Sequence, residues 1–146
     1  MQFQICPLSH EDFTDVTSVW EDSVRATHYF LSEADIRFYK PLIIKEYLPT
    51  LMLFGIRHDS GGLAGFVGVV DRKIEMLFVR PEDFGKGIGK ALCRFAIQDL
   101  QACEVDVNEH NMQALKFYVK LGFQLSGRSA LDPSGKPFPI LHLKVI

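Results

Sequence analysis

Phe84-Gly85-Lys86-Gly87-Ile88-Gly89-Lys90 stands between an apolar run, Ile74 to Val79, and a segment in which Ile88, Leu92, Phe95, Ala96 and Leu100 recur at helical spacing through about Gln101. Pro81 to Lys86 cannot continue a strand, so the order is strand, glycine loop, helix. A helix entrance exposes unpaired backbone N–H groups and the positive end of the helix dipole, and glycines let an anion approach the backbone closely. Lys86 and Lys90 sit where a basic residue opposes the dipole, which points to a bound phosphate; the plainer reading is a flexible connection with solvated lysines. The spacing narrows the phosphate ligand. An ATP-type loop needs a first glycine and a magnesium-binding hydroxyl, and these positions hold Phe84 and Ala91. A dinucleotide fingerprint needs a third glycine where Lys90 stands, so the acid about twenty residues on, Asp106, counts as coincidence.

Outward from the loop, Phe3-Gln4-Ile5 reads as a short strand. Ser9 with Asp12 opens a helix carried by Phe13, Val16, Trp20 and Val24, and Ser32 with Asp35 opens a second that Pro41 should kink or split. Leu51 to Arg57 and Leu63 to Val70 are strands joined by a glycine hairpin at His58 to Gly62, and a turn at Asp71 to Lys73 leads into Ile74 to Val79. After the central helix come a strand from Glu104 to Val107 and a helix capped by Asn111, with Ala114, Leu115, Tyr118 and Leu121 on its buried face, which Gly122 ends. Phe123 to Leu125 and Ile140 to Val145 close the chain as strands around a turn at Asp132 to Gly135. This order, strand, two helices, three strands, helix, strand, helix, two strands, predicts an α/β or α+β mixed sheet with helices on both faces, and residues 1–146 read as one domain.

The 146 residues are 47% hydrophobic and 23% charged with a net charge of −2, a globular composition that disfavours nonspecific binding to nucleic acid or an anionic membrane. No apolar run reaches the roughly 18 to 20 residues that span a bilayer and the N-terminus lacks a signal-peptide layout, so a cytoplasmic protein is expected. Cys6, Cys93 and Cys103 form no Cys-x-x-Cys pair and the five histidines have no paired ligand spacing, so no metal is expected.

Two longer stretches add a resemblance. Ile74-Glu75-Met76-Leu77-Phe78-Val79-x-Pro81 before the loop, and Val107-Asn108-Glu109-x-Asn111-x-x-Ala114-x-x-Phe117-Tyr118-x-Lys120-x-Gly122-Phe123 after it, resemble the GNAT (Gcn5-related N-acetyltransferase) superfamily. The second is the more specific, and the element order is similar along nearly the whole chain. Ala26-Thr27-His28-x-Phe30-Leu31 and Gly127-Arg128-Ser129-x-x-Asp132-x-x-Gly135-Lys136-Pro137 resemble its bacterial YjaB-like branch. The superfamily loop reads Gln or Arg, two residues, Gly, one residue, Gly or Ala; here Phe84 takes the Gln or Arg position.

The resemblance implies an acetyl-coenzyme A-dependent N-acetyltransferase in which the strand ending at Val79 splays from the strand beginning at Glu104 and the pantetheine arm lies in the gap. Backbone groups of Leu77, Phe78 and Val79 would pair with that arm, Gly85, Lys86, Gly87, Ile88, Gly89 and Lys90 would hold the pyrophosphate, and Asn111 and Phe117 would complete the cofactor site. The acceptor would be a primary amine, either a protein lysine or N-terminus or a small amine. A lysine-like amine must lose a proton first, about 4.6 kcal/mol at pH 7. Glu75 is the candidate base, set against a solvated carboxylate, since strand alternation alone does not fix its face. Tyr118 carries the resemblance's role of acid toward the leaving thiolate, where periodicity alone makes it a core aromatic. His28, Tyr29 and Phe30 are the candidate acceptor pocket. A coenzyme A-binding module without catalysis is the competing reading.

Overall fold

The computed structural model describes residues 3–28 and 30–145. Strand β1 spans Ile5–Leu8, later than the Phe3 to Ile5 expected, because the chain begins to pair with its neighbour only at Ile5. The backbone N–H of Ser9 donates to Asp12 Oδ2 at 2.9 Å and a short 3-10 turn leads into α1, Phe13–Thr27. Helix α2, Glu33–Leu42, opens on a reciprocal cap: Asp35 N–H donates to Ser32 Oγ and Ser32 N–H to Asp35 Oδ2. Pro41 lies in its last turn and, lacking an N–H, removes one rung of the ladder. The helix widens into a π turn at Ile43–Tyr47 and closes as a 3-10 turn at Leu48–Thr50.

Strands β2 (Met52–Arg57), β3 (Leu63–Val70) and β4 (Lys73–Val79) form an antiparallel meander. Helix α3 spans Ile88–Asp99, β5 Glu104–Asn108, α4 Met112–Lys120, β6 Phe123–Ser129 and β7 Ile140–Val145. The seven strands make one sheet in the order β1-β2-β3-β4-β5-β7-β6. Strand β6 runs past the expected Leu125 as far as Ser129, because Arg128 and Ser129 pair with Leu141 and Ile140 although that stretch is polar.

The sheet is covered on both faces. Val16, Val19, Trp20 and Val24 of α1 pack with Ile36 and Ile43 against Leu53, Leu63, Phe66 and Met76. Ile88, Leu92, Cys93 and Ala96 of α3 with Tyr118 of α4 pack against Val67, Val69, Ile74, Val105 and Leu143. Being buried on both sides explains why β3 is almost uninterruptedly apolar. No helix among the described residues is long and apolar enough to cross a membrane.

Strand β4 is irregular on both of its edges. Gly68 pairs with Met76 but Val69 with Ile74, so Glu75 is an extra residue, a bulge. Ile74 therefore packs with the α3 face and Met76 with the α1 face, although residues two apart in a regular strand share a face. On its other side β4 pairs in parallel with β5 only at Lys73–Glu104 and Ile74–Val105. The closed end is pinned by the Arg72 carbonyl, which accepts from the N–H groups of Cys103 and Glu104. Beyond Ile74 the strands part.

Candidate active site

The parting strands leave a wedge, and the helices α3 and α4 begin at its open end. A groove of about 420 Å³ runs there, floored by Leu77, Phe78 and Val79 of β4. The loop and first turn of α3 (Gly85, Gly87, Ile88, Gly89, Lys90) form one wall, and Asn111, Ala114, Phe117 and Tyr118 of α4 the other. Gly85 and Gly87 have φ of +79° and +87°, a region that side chains disfavour. Gly87 occupies the N-cap with no side-chain cap, leaving the first N–H groups of α3 for a ligand. No acidic residue lies in that first turn.

Lys86, alone among the expected cofactor residues, does not line this groove. Its ammonium lies 2.8 Å from Asp83 Oδ1, and His58 Nε2 lies 2.8 Å from the other oxygen. Asp83 is buried, which pushes its carboxyl up, but the hydrogen bonds from Lys86 and His58 outweigh this and hold it below the usual range. The pair ties the loop to the β2–β3 hairpin. Phe84, in the position of the usual Gln or Arg, is an exposed aromatic on the groove wall.

A second cavity fills the wedge itself, between Glu75 to Phe78 of β4 and Val105 to Asn108 of β5. A third, about 270 Å³, lies on the α1 face under Trp20, Phe30, Tyr39, Phe78 and Phe138, with Glu75 and Asp132 as its carboxylates. His28 and Phe78 line all three cavities. Tyr29 lies outside the described residues.

The hydrogen bonds around His28 fix its tautomer. The Thr27 hydroxyl donates to the Ser23 carbonyl, so the contact of Thr27 Oγ1 with His28 Nδ1 at 2.7 Å makes Nδ1 the donor. Nε2 is then an acceptor, and Asn111 Nδ2 donates to it at 3.2 Å. Asn111 meanwhile caps α4 through its Oδ1, which accepts from Ala114 N–H. Burial lowers His28 from the ordinary 6.5 to about 4, so the ring is neutral at pH 7.

Tyr118 is buried between Phe117 and Phe123, and burial pushes its phenol well above the usual range. Every fully buried side-chain nitrogen or oxygen among the described residues has a partner, yet the Tyr118 hydroxyl makes no hydrogen bond. The hydroxyl therefore opens onto the groove and the wedge, both of which Tyr118 lines. Glu75 lines the wedge and the third cavity; partial burial raises its carboxyl, Lys73 opposes the shift and Asp106 adds to it.

Sequence reasoning gave no site role to Ser23 and Thr27, which line the groove from α1, or to Asp132, which it read as a turn residue within a YjaB-like segment. Asp132 Oδ1 does hold that turn, accepting from Ser134 and Lys136 N–H, but its Oδ2 accepts from the Tyr39 hydroxyl and ties the β6–β7 connection to α2. Such a pair, 93 residues apart, leaves no local signal.

The family description "Acetyltransferase (GNAT) domain" matches residues 51–125. Peptidyl-lysine N-acetyltransferase YjaB of Salmonella typhimurium is 36% identical over 143 residues, covering 98% of each chain. The solution structure of apo YjaB from Escherichia coli superposes with a TM-score of 0.88 at 33% identity, covering 100% of this chain and 99% of that one. The PaiA N-acetyltransferase of Thermoplasma acidophilum, solved with coenzyme A, gives a TM-score of 0.74 at 25% identity over 99% of both chains.

Proposed function

The chain belongs to the GNAT acetyltransferase family, and from that membership we propose that it transfers the acetyl group of acetyl-coenzyme A to a primary amine, the side chain of a protein lysine. The observation that carries this is the parting of β4 from β5 after two residue pairs, with donor groove, wedge and acceptor cavity meeting at His28 and Phe78. An amide-bearing arm matches the unpaired edge of β4 as an added strand would. The uncapped start of α3 suits a pyrophosphate, and Lys90 adds charge beside it. Coenzyme A in the PaiA relative supports the donor, and the peptidyl-lysine activity in the YjaB name supports the acceptor.

Acetyl-coenzyme A supplies a thioester whose carbonyl is the electrophile. The acceptor amine would enter through the aromatic-walled cavity, where Phe30 and Phe78 flank its alkyl stem and Glu75, directly or through water, takes its proton. Tyr118, kept protonated by its burial, is suited to donate to the departing thiolate. Neutral His28 orients the entering amine, and a backbone N–H on the β4 edge near Leu77 would stabilise the oxyanion.

Thiol release from acetyl-coenzyme A, followed over lysine peptides, peptides whose only amine is the N-terminus, and small amines, tests the proposal. Turnover is expected with lysine peptides above the others. Thermal stabilisation by acetyl-coenzyme A with no acceptor-dependent thiol release would leave a binding module instead.

A further inference from the structure

Behind Glu75 lies a run of side chains that the proposed chemistry does not use. Lys73 Nζ is 2.6 Å from Asp106 Oδ2 and 3.8 Å from Glu75 Oε1. Asp106 Oδ1 is 2.6 Å from His142 Nδ1, and His142 Nε2 is 2.7 Å from Ser129 Oγ. Asp106 and His142 are direct partners across β5 and β7, so sheet register presses the carboxylate and the ring together. The Ser129 hydroxyl fixes the far side of the ring.

We propose that Asp106, oriented by His142 and Ser129, is a positioning residue that holds the Lys73 ammonium on itself and so keeps it from closing on Glu75, the carboxylate facing the acceptor amine. The inference rests on the reading of Glu75 as the base. Two carboxylates here compete for a single cation. Lys73 stands two residues from Glu75 on the same strand and is the only ammonium or guanidinium in salt-bridge range of it among the described residues. Were Lys73 free to close on Glu75, the carboxylate would be stabilised as an anion and weakened as a base. The 2.6 Å contact with Asp106 takes the ammonium's close partner position and leaves Glu75 at the longer distance. The bulge contributes, since it frees Glu75 from strand alternation while Ile74, its neighbour, is held by both β3 and β5.

The other groups facing Glu75 do not replace this control. Just after α1, His28 is neutral. From α2 and the π turn come the hydroxyls of Tyr39 and Tyr47, the first committed to Asp132. The β6–β7 connection brings Asp132, a second anion. Glu104, at the start of β5, acts on Lys73 and is itself 3.8 Å from Lys144. Lys73 and Asp106 are thus the charged pair that acts on Glu75 with opposite signs.

The test uses two charge-removing variants close in shape to the native residues, Asp106→Asn and Lys73→Met. The midpoint of the Glu75 side-chain carboxyl is followed by carbon NMR, assigned with Glu75→Gln, beside the pH profile of kcat/KM for a lysine peptide. Asp106→Asn removes a repelling anion and releases Lys73 to close on Glu75, so the Glu75 midpoint should fall by about one unit; Lys73→Met, which removes a cation held at 3.8 Å, should raise it by less. Shifts in opposite directions support the proposal, and they do so even if the acid limb of the pH profile stays still, in which case Glu75 is not the base. Midpoints that stay in place, or move the same way in both variants, overturn it. If Asp106→Asn does not fold, Asp106→Ser carries the same test: a Glu75 midpoint that does not fall overturns the proposal.

Discussion

Tyr118 and His28 illustrate how far a residue's identity reaches and where its surroundings take over. Periodicity put Tyr118 on the core face of its helix, and it is buried there; what periodicity could not convey is that its hydroxyl is left without a partner at the mouth of two cavities. Tyr118→Phe should lower kcat for lysine-peptide acetylation by about 100-fold or more, on the order of what one general acid contributes, with little change in acetyl-coenzyme A affinity by titration; an unchanged kcat would remove the catalytic role. For His28 the sign of the pH effect follows from its depression from 6.5 to about 4. Above pH 6.5 both folded and unfolded rings are neutral. As pH falls below 6.5 the unfolded ring takes up its proton first, so stability is lost progressively until about pH 4 and no further from this group. The loss is about 3 kcal/mol at most. Urea denaturation at pH 7 and pH 4.5 should show it in the native chain and not in His28→Gln; parallel losses in both would mean that the ring is not buried neutral. Asp83, held low by Lys86 and His58, contributes stability that disappears only at more acid pH, below the ordinary carboxylate range.

The glycine loop is the element on which the sequence was most informative, and Gly87 and Gly89 do different things in it. Gly87 is a left-handed N-cap at φ +87°, with only the Phe3 ring near the place a Cβ would take. Gly87→Ala therefore strains the backbone rather than clashing, at a cost of roughly 1–2 kcal/mol, and it turns the first N–H groups of α3 away from the groove. Gly89 is helical, and an added Cβ would meet Phe117 at 3.6 Å, an ordinary contact. Gly89→Ala should be neutral or up to about 1 kcal/mol stabilising through helix propensity. Denaturation midpoints together with the thermal shift on adding acetyl-coenzyme A separate the two: Gly87→Ala should lose both stability and ligand response, whereas Gly89→Ala should keep its stability. Equal behaviour would dissociate the left-handed cap from ligand binding. At Lys86 local reading was incomplete, because a lysine at a helix start points to an anion and gives no sign that a buried carboxylate three residues earlier pairs with it. The bulge at Glu75 was illegible for a related reason: one residue too many in a strand can be seen only against its partner strand.

Across the whole molecule, stability rests on two apolar layers, one on each face of the sheet, and Phe66 is a fully buried side chain of the layer under α1. Phe66→Ala should cost about 3–5 kcal/mol, a large share of the roughly 5–15 kcal/mol typical of a folded domain, and should appear as a Tm drop without a change in denaturation cooperativity. A loss of less than about 1 kcal/mol would mean that the α1 face is not a packed layer. Element order, the hairpin at His58 to Gly62, the Asn111 cap and the uncapped glycine entrance to α3 were all determined by the sequence itself, since each depends on residues within a few positions of one another. The parting of β4 from β5 was expected from the resemblance, but tertiary structure alone decided that it begins after Ile74, that β7 inserts between β5 and β6, that Glu75 bulges, and that Asp132 meets Tyr39 while Lys73 meets Asp106. Periodicity and capping record a residue's immediate neighbours, whereas the wedge and its charges arise between segments far apart along the chain, and only the packed sheet sets those distances.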